Sequence, residues 1–80
     1  MSIRRVIIES PYAADTPDGV EANKAYARAA VRDSLSRGEA PFASHLIYTQ
    51  VFDDNVQTER TMGIRAGLAW GVVADATVVY

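Results

Sequence analysis

Several residue types and patterns are missing from this chain, and each absence narrows the class of protein. The 80 residues contain no cysteine, which excludes disulfides and thiolate metal sites and is typical of proteins from a reducing compartment. The first apolar run, Val6-Ile7-Ile8, ends at Glu9 and is too short for a signal peptide or a membrane span. We therefore expect a soluble, cytoplasmic protein that does not bind a membrane.

Charge and metal-binding side chains are also sparse. The formal net charge is −2, so a general nucleic-acid-binding surface is not expected. His45 is the only histidine, and one histidine without cysteine makes a catalytic zinc site improbable. The glycine-rich phosphate-binding motifs, His-Glu-x-x-His and Gly-x-Ser-x-Gly are absent as well. We therefore expect neither a metal nor another cofactor.

Apolar residues are plentiful enough for one small core. They make up 49% of the sequence, and residues 1–80 suffice for a single domain near the lower size limit. A domain of this size keeps little net stability once chain entropy is subtracted, and no disulfide adds to it. We therefore expect a homo-oligomer.

Apolar runs and helical repeats predict the order strand, helix, strand, helix, strand. The strands are expected at 5–9, 40–44 and 76–80, and the helices at 20–37 and 56–73. Consecutive strands joined by helices form parallel sheets through right-handed crossovers. The sequence therefore predicts an α/β fold with a short three-stranded parallel sheet and two crossover helices, a Rossmann-like half.

The first helix should bury one apolar face and end at a glycine. Thr16 or Asp18 is the predicted N-cap, and Arg37-Gly38 is typical of a helix end. The residues predicted to face the core are Val20, Ala27, Val31 and Leu35.

The second helix carries glycines at regular intervals. Gly63, Gly67 and Gly71 are four residues apart and therefore share one stripe. Each costs up to about 1 kcal/mol relative to alanine, so we expect close approach to the sheet or to another helix. Trp70 is predicted to lie in the core. The preceding segment 46–52 fits either a strand or a loop with one helical turn.

The polar candidates gather where strands lead into helices. In open parallel sheets, ligands bind outside the carboxyl ends of the strands, and helix N-termini at the same edge favour phosphate or carboxylate. The residues expected at this edge are Ser10, Pro11, Tyr12, Asn23, His45, Asp53, Asp54, Asn55 and Glu59. Their convergence predicts a ligand site.

The first and last of these candidates also have structural interpretations. Ser10-Pro11 can simply end a strand, because proline has no N–H for the ladder. Tyr12 can stack on a base or merely cover its loop. Glu59 and Arg60 can form a surface pair instead of contacting a ligand.

His45 and the acidic turn are equally open to a structural interpretation. His45 is the only side chain with an unperturbed pKa near neutrality, but a hydrogen bond to Asp53 or Asp54 would also account for it. Asp54-Asn55 can serve as the N-cap of the second helix.

Together these segments resemble a known group of proteins. The resemblance rests on 6–13, Asn23, 43–46, 52–55 and Glu59-Arg60 with Gly63. In these segments the sequence resembles short phage and bacterial domains of the nucleoside 2-deoxyribosyltransferase-like superfamily, over nearly the whole chain. The resemblance implies a flavodoxin-like fold, a bacterial or phage-infected host cell, and a small-molecule partner that is a nucleoside or nucleotide.

The resemblance also implies roles for individual residues. In the characterised enzymes a glutamate attacks the sugar C1′, the base leaves, and a second base is accepted. Ser10 and Tyr12 would lie in the sugar or phosphate loop, with His45, Asp53 and Asn55 around the substrate. The nucleophilic glutamate follows the third strand in those enzymes, and no residue of this sequence matches its position.

Three hypotheses for function follow. The first is an N-glycosyl (2-deoxyribosyl) transferase or hydrolase whose nucleophile comes from a longer chain or from a neighbouring subunit. The second is a non-catalytic phage protein that sequesters a nucleotide. The third is a structural module that associates with itself through the glycine stripe and an open sheet edge.

Overall fold

A computed structural model describes residues 3–80 and shows an α/β fold. In chain order its elements are β1 (Arg5–Glu9), α1 (Pro17–Ser36), β2 (Ala40–Phe42), α2 (Ser44–Ile47), a 3₁₀ turn (Tyr48–Gln50), α3 (Gln57–Val73) and β3 (Ala76–Val79). The three strands form one parallel sheet in the order β2-β1-β3. The predicted fold class is confirmed, and the short helix α2 is added to it.

The central strand β1 determines the register of the sheet. Val6 pairs with Pro41 on one side and with Ala76 on the other. Pro41 is tolerated because β2 is an edge strand, where a missing N–H leaves no ladder bond unmade. β2 ends at Phe42, earlier than predicted, because Ser44 already begins α2.

The core lies on the face of the sheet that α1 covers. Val6 and Ile8 are only 1% and 2% exposed there, and Ala30 and Ala43 pack against them. Small residues allow the helix backbone to approach the sheet closely, as expected for a dense interior. This layer is the only continuous cluster of buried apolar side chains among residues 3–80.

The buried stripe of α1 differs in part from the prediction. Ala27 is buried and Val31 packs against the core, as expected, but Leu35 is 57% exposed. Ser34 takes the inward position, where its hydroxyl donates to Glu39 Oε1 at 2.7 Å. A satisfied hydroxyl is tolerated in a core, and serine is small enough for the close approach that leucine would prevent.

Both ends of α1 have their predicted caps. Thr16 is the N-cap, and its side chain accepts a hydrogen bond from the Gly19 N–H at 3.1 Å. The helix begins at Pro17, earlier than predicted, because proline fits the first helical position. After Ser36 the chain leaves the helix through Gly38, whose φ of +81° favours glycine.

The segment after β2 is helical rather than extended. α2 and the 3₁₀ turn cover most of 46–52, so the alternative of a loop with a helical turn is correct. The acidic turn that follows is held by Asp53, whose Oδ1 accepts from the Asn55 N–H at 2.9 Å. Val56 is the N-cap of α3, without a side-chain hydrogen bond, so the predicted cap at Asp54-Asn55 is wrong.

The glycine stripe of α3 approaches α2 and not the sheet. A Cβ at Gly67 would lie 3.1 Å from Ser44 Oγ, whereas a Cβ at Gly71 would meet nothing within 4 Å. Trp70 is 54% exposed and contacts Phe42 at its ring, so its predicted place in the core is wrong. Within residues 3–80, no helix is long and apolar enough to cross a membrane.

Candidate functional site

An open groove occupies the face of the sheet opposite α1. Ile7 and Thr77 form its floor, Gly67 and Leu68 of α3 lie along one wall, and its volume is about 500 Å³. This volume is within the usual range for small-molecule pockets. The groove reaches Glu9 at the carboxyl end of β1, and the strand order reverses between β1 and β3. Flavodoxin-like sheets bind their ligands at such a point.

Five of the sequence-predicted site residues line this groove together. They come from the end of β1, from α2 and from the entry to α3, which the topology brings to one edge of the sheet. These residues are Ser10, Tyr12, His45, Asp54 and Glu59. The expected convergence of side chains is therefore present in the structure.

The other four candidates occupy different positions. Asp53 and Asn55 line a smaller adjoining cavity of about 330 Å³, which shares Tyr12 and Asp54 with the groove. Asn23 lies beneath the loop after β1, where its Nδ2 donates to the Tyr12 carbonyl oxygen at 3.0 Å. Pro11 lines neither cavity. Asn23 thus supports the Tyr12 loop instead of facing the groove.

The side chains of Ser10 and His45 are in direct polar contact in the groove. Ser10 Oγ lies 2.7 Å from His45 Nε2, because β1 ends beside the first turn of α2. The interpretation in which Asp53 or Asp54 holds His45 is therefore wrong. The His45 carbonyl accepts a hydrogen bond from Thr49 Oγ1 at 2.7 Å, which ties the 3₁₀ turn to α2.

Burial controls the protonation of the histidine. It lowers the pKa of His45 below the ordinary 6.5, and the nearby Glu9 carboxylate partly opposes this shift. Taking an imidazolium out of water is unfavourable. His45 is therefore mainly neutral at pH 7, when one ring nitrogen carries a lone pair that accepts a proton.

The groove has an excess of negative charge. Its lining includes the carboxylates of Glu9, Asp54 and Glu59 against a single guanidinium, that of Arg60. Glu59 also accepts a long hydrogen bond of 3.4 Å from the Asp53 N–H. Among residues 3–80 the ion pairs lie elsewhere, so the predicted Glu59–Arg60 surface pair does not form. The groove therefore favours uncharged ligands or ligands rich in hydrogen-bond donors.

Sequence reasoning missed several residues of the lining. Tyr48 and Thr49 belong to segment 46–52, whose sequence fits either a strand or a helical turn, and both line the groove together with His45. Read as a helix, the same segment places His45, Tyr48 and Thr49 at i, i+3 and i+4 on one face. The helical period was therefore the pattern that could have found them.

Metal binding has no geometric support in the part of the chain that the structure describes. Residues 3–80 contain no group of three or more histidine, aspartate or glutamate side chains placed to hold an ion.

Comparisons with known proteins place the chain in a family without adding a function. No curated protein and no solved structure shows significant similarity to it. A family model matches residues 4–80, which is almost the whole sequence. The chain therefore belongs to the family described as domain of unknown function, DUF7768.

Proposed function

We propose that this domain binds a nucleoside in the groove between the sheet and α3. The observation that carries the proposal is the joint position of Ser10, Tyr12 and His45 around a cavity of about 500 Å³ at the carboxyl end of β1. Parallel sheets bind ligands at this edge, and the resemblance to nucleoside 2-deoxyribosyltransferases supports the same ligand class.

The charge of the groove supports a nucleoside over a nucleotide. Phosphate groups favour helix N-termini with free N–H donors, but the first turn of α3 contains an acidic residue, Glu59. Asp54 lies just before that helix and also lines the groove. Like charges repel a phosphate, whereas carboxylate oxygens accept hydrogen bonds from sugar hydroxyls.

We propose that an aromatic side chain binds the base and that polar side chains bind the sugar. Tyr12 lies where the groove meets the adjoining cavity, and its ring offers a stacking surface for the base. The Ser10 hydroxyl and the Asp54 carboxylate offer hydrogen bonds to the sugar. Base transfer would also need a carboxylate at the sugar C1′, and the resemblance matches no residue here to that role. We therefore propose binding as the activity of these residues.

Titration of ligands into the domain tests the proposal. Isothermal calorimetry or NMR should show saturable binding of at least one deoxynucleoside at concentrations near 1 mM, roughly −4 kcal/mol. The matching 5′-monophosphate should bind more weakly. Tyr12→Ala should lower the affinity about tenfold or more, the range expected for losing one aromatic contact.

Tyr26→Ala provides the matched control. Tyr26 is a half-exposed tyrosine of α1 outside the groove, so its loss should leave the affinity unchanged. Absence of binding by every nucleoside in the panel, or equal losses in the two variants, would refute the proposal.

Self-association is a second candidate, supported by exposed apolar side chains. Leu68 and Val72 of α3 are 67% and 85% exposed, and Val79 on the edge strand β3 is 79% exposed. Exposed apolar patches and open strand edges favour contacts with other chains. Native mass spectrometry should show a dimer or larger assembly at micromolar concentration that Val72→Asp dissociates. A monomer at all concentrations would contradict this candidate.

A further inference from the structure

We propose that Ser10 and His45 form a nucleophile–base pair that can take up an acyl group from an uncharged ester in the groove. This is covalent chemistry beyond the binding of a nucleoside, and it does not depend on that ligand. The two residues are far apart in the chain, yet Oγ and Nε2 lie 2.7 Å apart, and both line the groove. This distance is within the range required of a serine and its general base.

The surroundings of His45 suit a base. Burial keeps the pKa of His45 below its ordinary value, so the ring is free to accept a proton at pH 7. Glu9 on β1 is the carboxylate whose field reaches the ring, and it stabilises the imidazolium as that cation forms. The other charged groups of the groove are Asp54, Glu59 and Arg60.

The reaction step can be written with its atoms in balance. The Ser10 hydroxyl proton moves to His45 Nε2 while Oγ forms a bond to the ester carbonyl carbon. The carbon–oxygen bond to the leaving alcohol then breaks, and His45 returns the proton to that alcohol. Water repeats the sequence and releases a carboxylic acid. Arg60 is the one cationic side chain lining the groove, so it is the group there whose charge can oppose negative charge on the carbonyl oxygen.

The carboxylates decide which ester can enter. Three acidic side chains line the groove, so an anionic ester would be repelled. The acyl donor is therefore a neutral ester small enough for a groove of about 500 Å³.

A single introduced thiol tests proton acceptance by His45. Because the chain has no cysteine, Ser10→Cys creates the only thiol in the protein. Its pKa, measured from the pH dependence of iodoacetamide alkylation, should fall clearly below the ordinary value of about 8.5. Adding His45→Gln, or His45→Asn if the first double variant does not fold, should return the thiol pKa to the ordinary range.

Ser36→Cys is the matched control, because Ser36 lies on the exposed side of α1 and donates to the Arg32 carbonyl. Its thiol should titrate near the ordinary value with or without His45. A thiol pKa at position 10 that does not respond to the loss of His45 would overturn the proposal.

The unaltered chain tests nucleophilicity directly. A small alkyl fluorophosphonate should add one phosphonyl group to Ser10, located by peptide mass spectrometry. Its rate should fall by about 100-fold or more in His45→Gln, the usual contribution of a general base. Ser36→Ala should be labelled at the same rate as the unaltered chain, and Ser10→Ala should not be labelled. Labelling at another residue, or no labelling, would overturn the proposal even if nucleosides bind.

Discussion

The two faces of the sheet are built from different side chains. On the α1 face, Val6 and Ile8 are almost fully buried against the small residues Ala30 and Ala43. On the α3 face, Ile7 forms the floor of an open groove, and the helix above it packs on α2 and touches the sheet through the Trp70–Phe42 ring contact. One three-stranded sheet thus carries a packed layer and an open layer.

The difference separates the parts that hold the fold from the parts that can bind a ligand. Alternate residues of β1 point to opposite faces, so neighbouring positions in one strand serve different purposes. The polar residues Ser10, His45 and Asp54 are all on the open side. We infer that stability depends mainly on the α1 face, and that changes in the groove affect ligand chemistry more than folding.

The largest expected difference between the two faces is in the stability lost when adjacent isoleucines of β1 are truncated. Ile8→Ala removes a side chain that is 2% exposed, and core truncations of this kind cost about 2–5 kcal/mol. Ile7→Ala removes a partly exposed side chain of the groove floor and should cost about 1 kcal/mol. Urea denaturation measures both free energies of unfolding. Equal losses would mean that the α3 face supports the fold as much as the α1 face does.

Alanine substitutions at the glycines of α3 should produce smaller differences in stability, which depend on what surrounds each glycine. Gly71→Ala places a methyl group in open space and should stabilise the helix by up to about 1 kcal/mol through the higher helix propensity of alanine. Gly67→Ala places the methyl group 3.1 Å from Ser44 Oγ, so crowding against α2 should cancel that gain. Thermal unfolding of the two variants should therefore rank Gly71→Ala above Gly67→Ala. The reverse order would show that α2 and α3 do not pack closely at Ser44.

The closed face was easier to predict from the sequence than the open one. The Val-Ile-Ile run of β1 and the Thr16 and Gly38 caps of α1 depend on local chemistry, so the sequence predicts them directly. Leu35 and Ser34 show the limit of apolar patterns. Ser34 is buried in place of Leu35 because its hydroxyl donates a hydrogen bond to Glu39, which lies beyond the end of the helix. Helical spacing alone does not reveal such a partner.

The open face depends on contacts between distant segments. The sequence places Ser10 and His45 at the same sheet edge, and the structure confirms this. The sequence does not show that they meet each other, because neither the register between β1 and β2 nor the turn after β2 can be read from it. The early end of β2 after Phe42 and the start of α2 at Ser44 produce the 2.7 Å contact. The predicted core position of Trp70 is wrong for a related reason, since α3 stands beside α2 and leaves the ring half exposed.

The smallest expected effect is the pH dependence of stability, to which the open face contributes through His45. Burial lowers the pKa of His45 in the folded state below the ordinary 6.5, so the unfolded chain binds more protons in that window. The stabilising contribution is complete above about pH 6.5 and is lost as the pH falls through the folded pKa. His45→Gln should remove this part of the slope in urea titrations.

Asp75 makes the stability depend on pH in a second, more acidic range. The Arg5 backbone N–H, which donates to Asp75 Oδ2 at 2.7 Å, lowers the pKa of Asp75 below 3.8. Its contribution is therefore present above about pH 3.8 and is lost only in stronger acid, as the pH falls through the folded pKa. Asp75→Asn should change the slope there and leave the His45 window, which lies below about pH 6.5, intact. If His45→Gln altered the acidic window instead, the histidine would not be the group that makes the open face sensitive to pH.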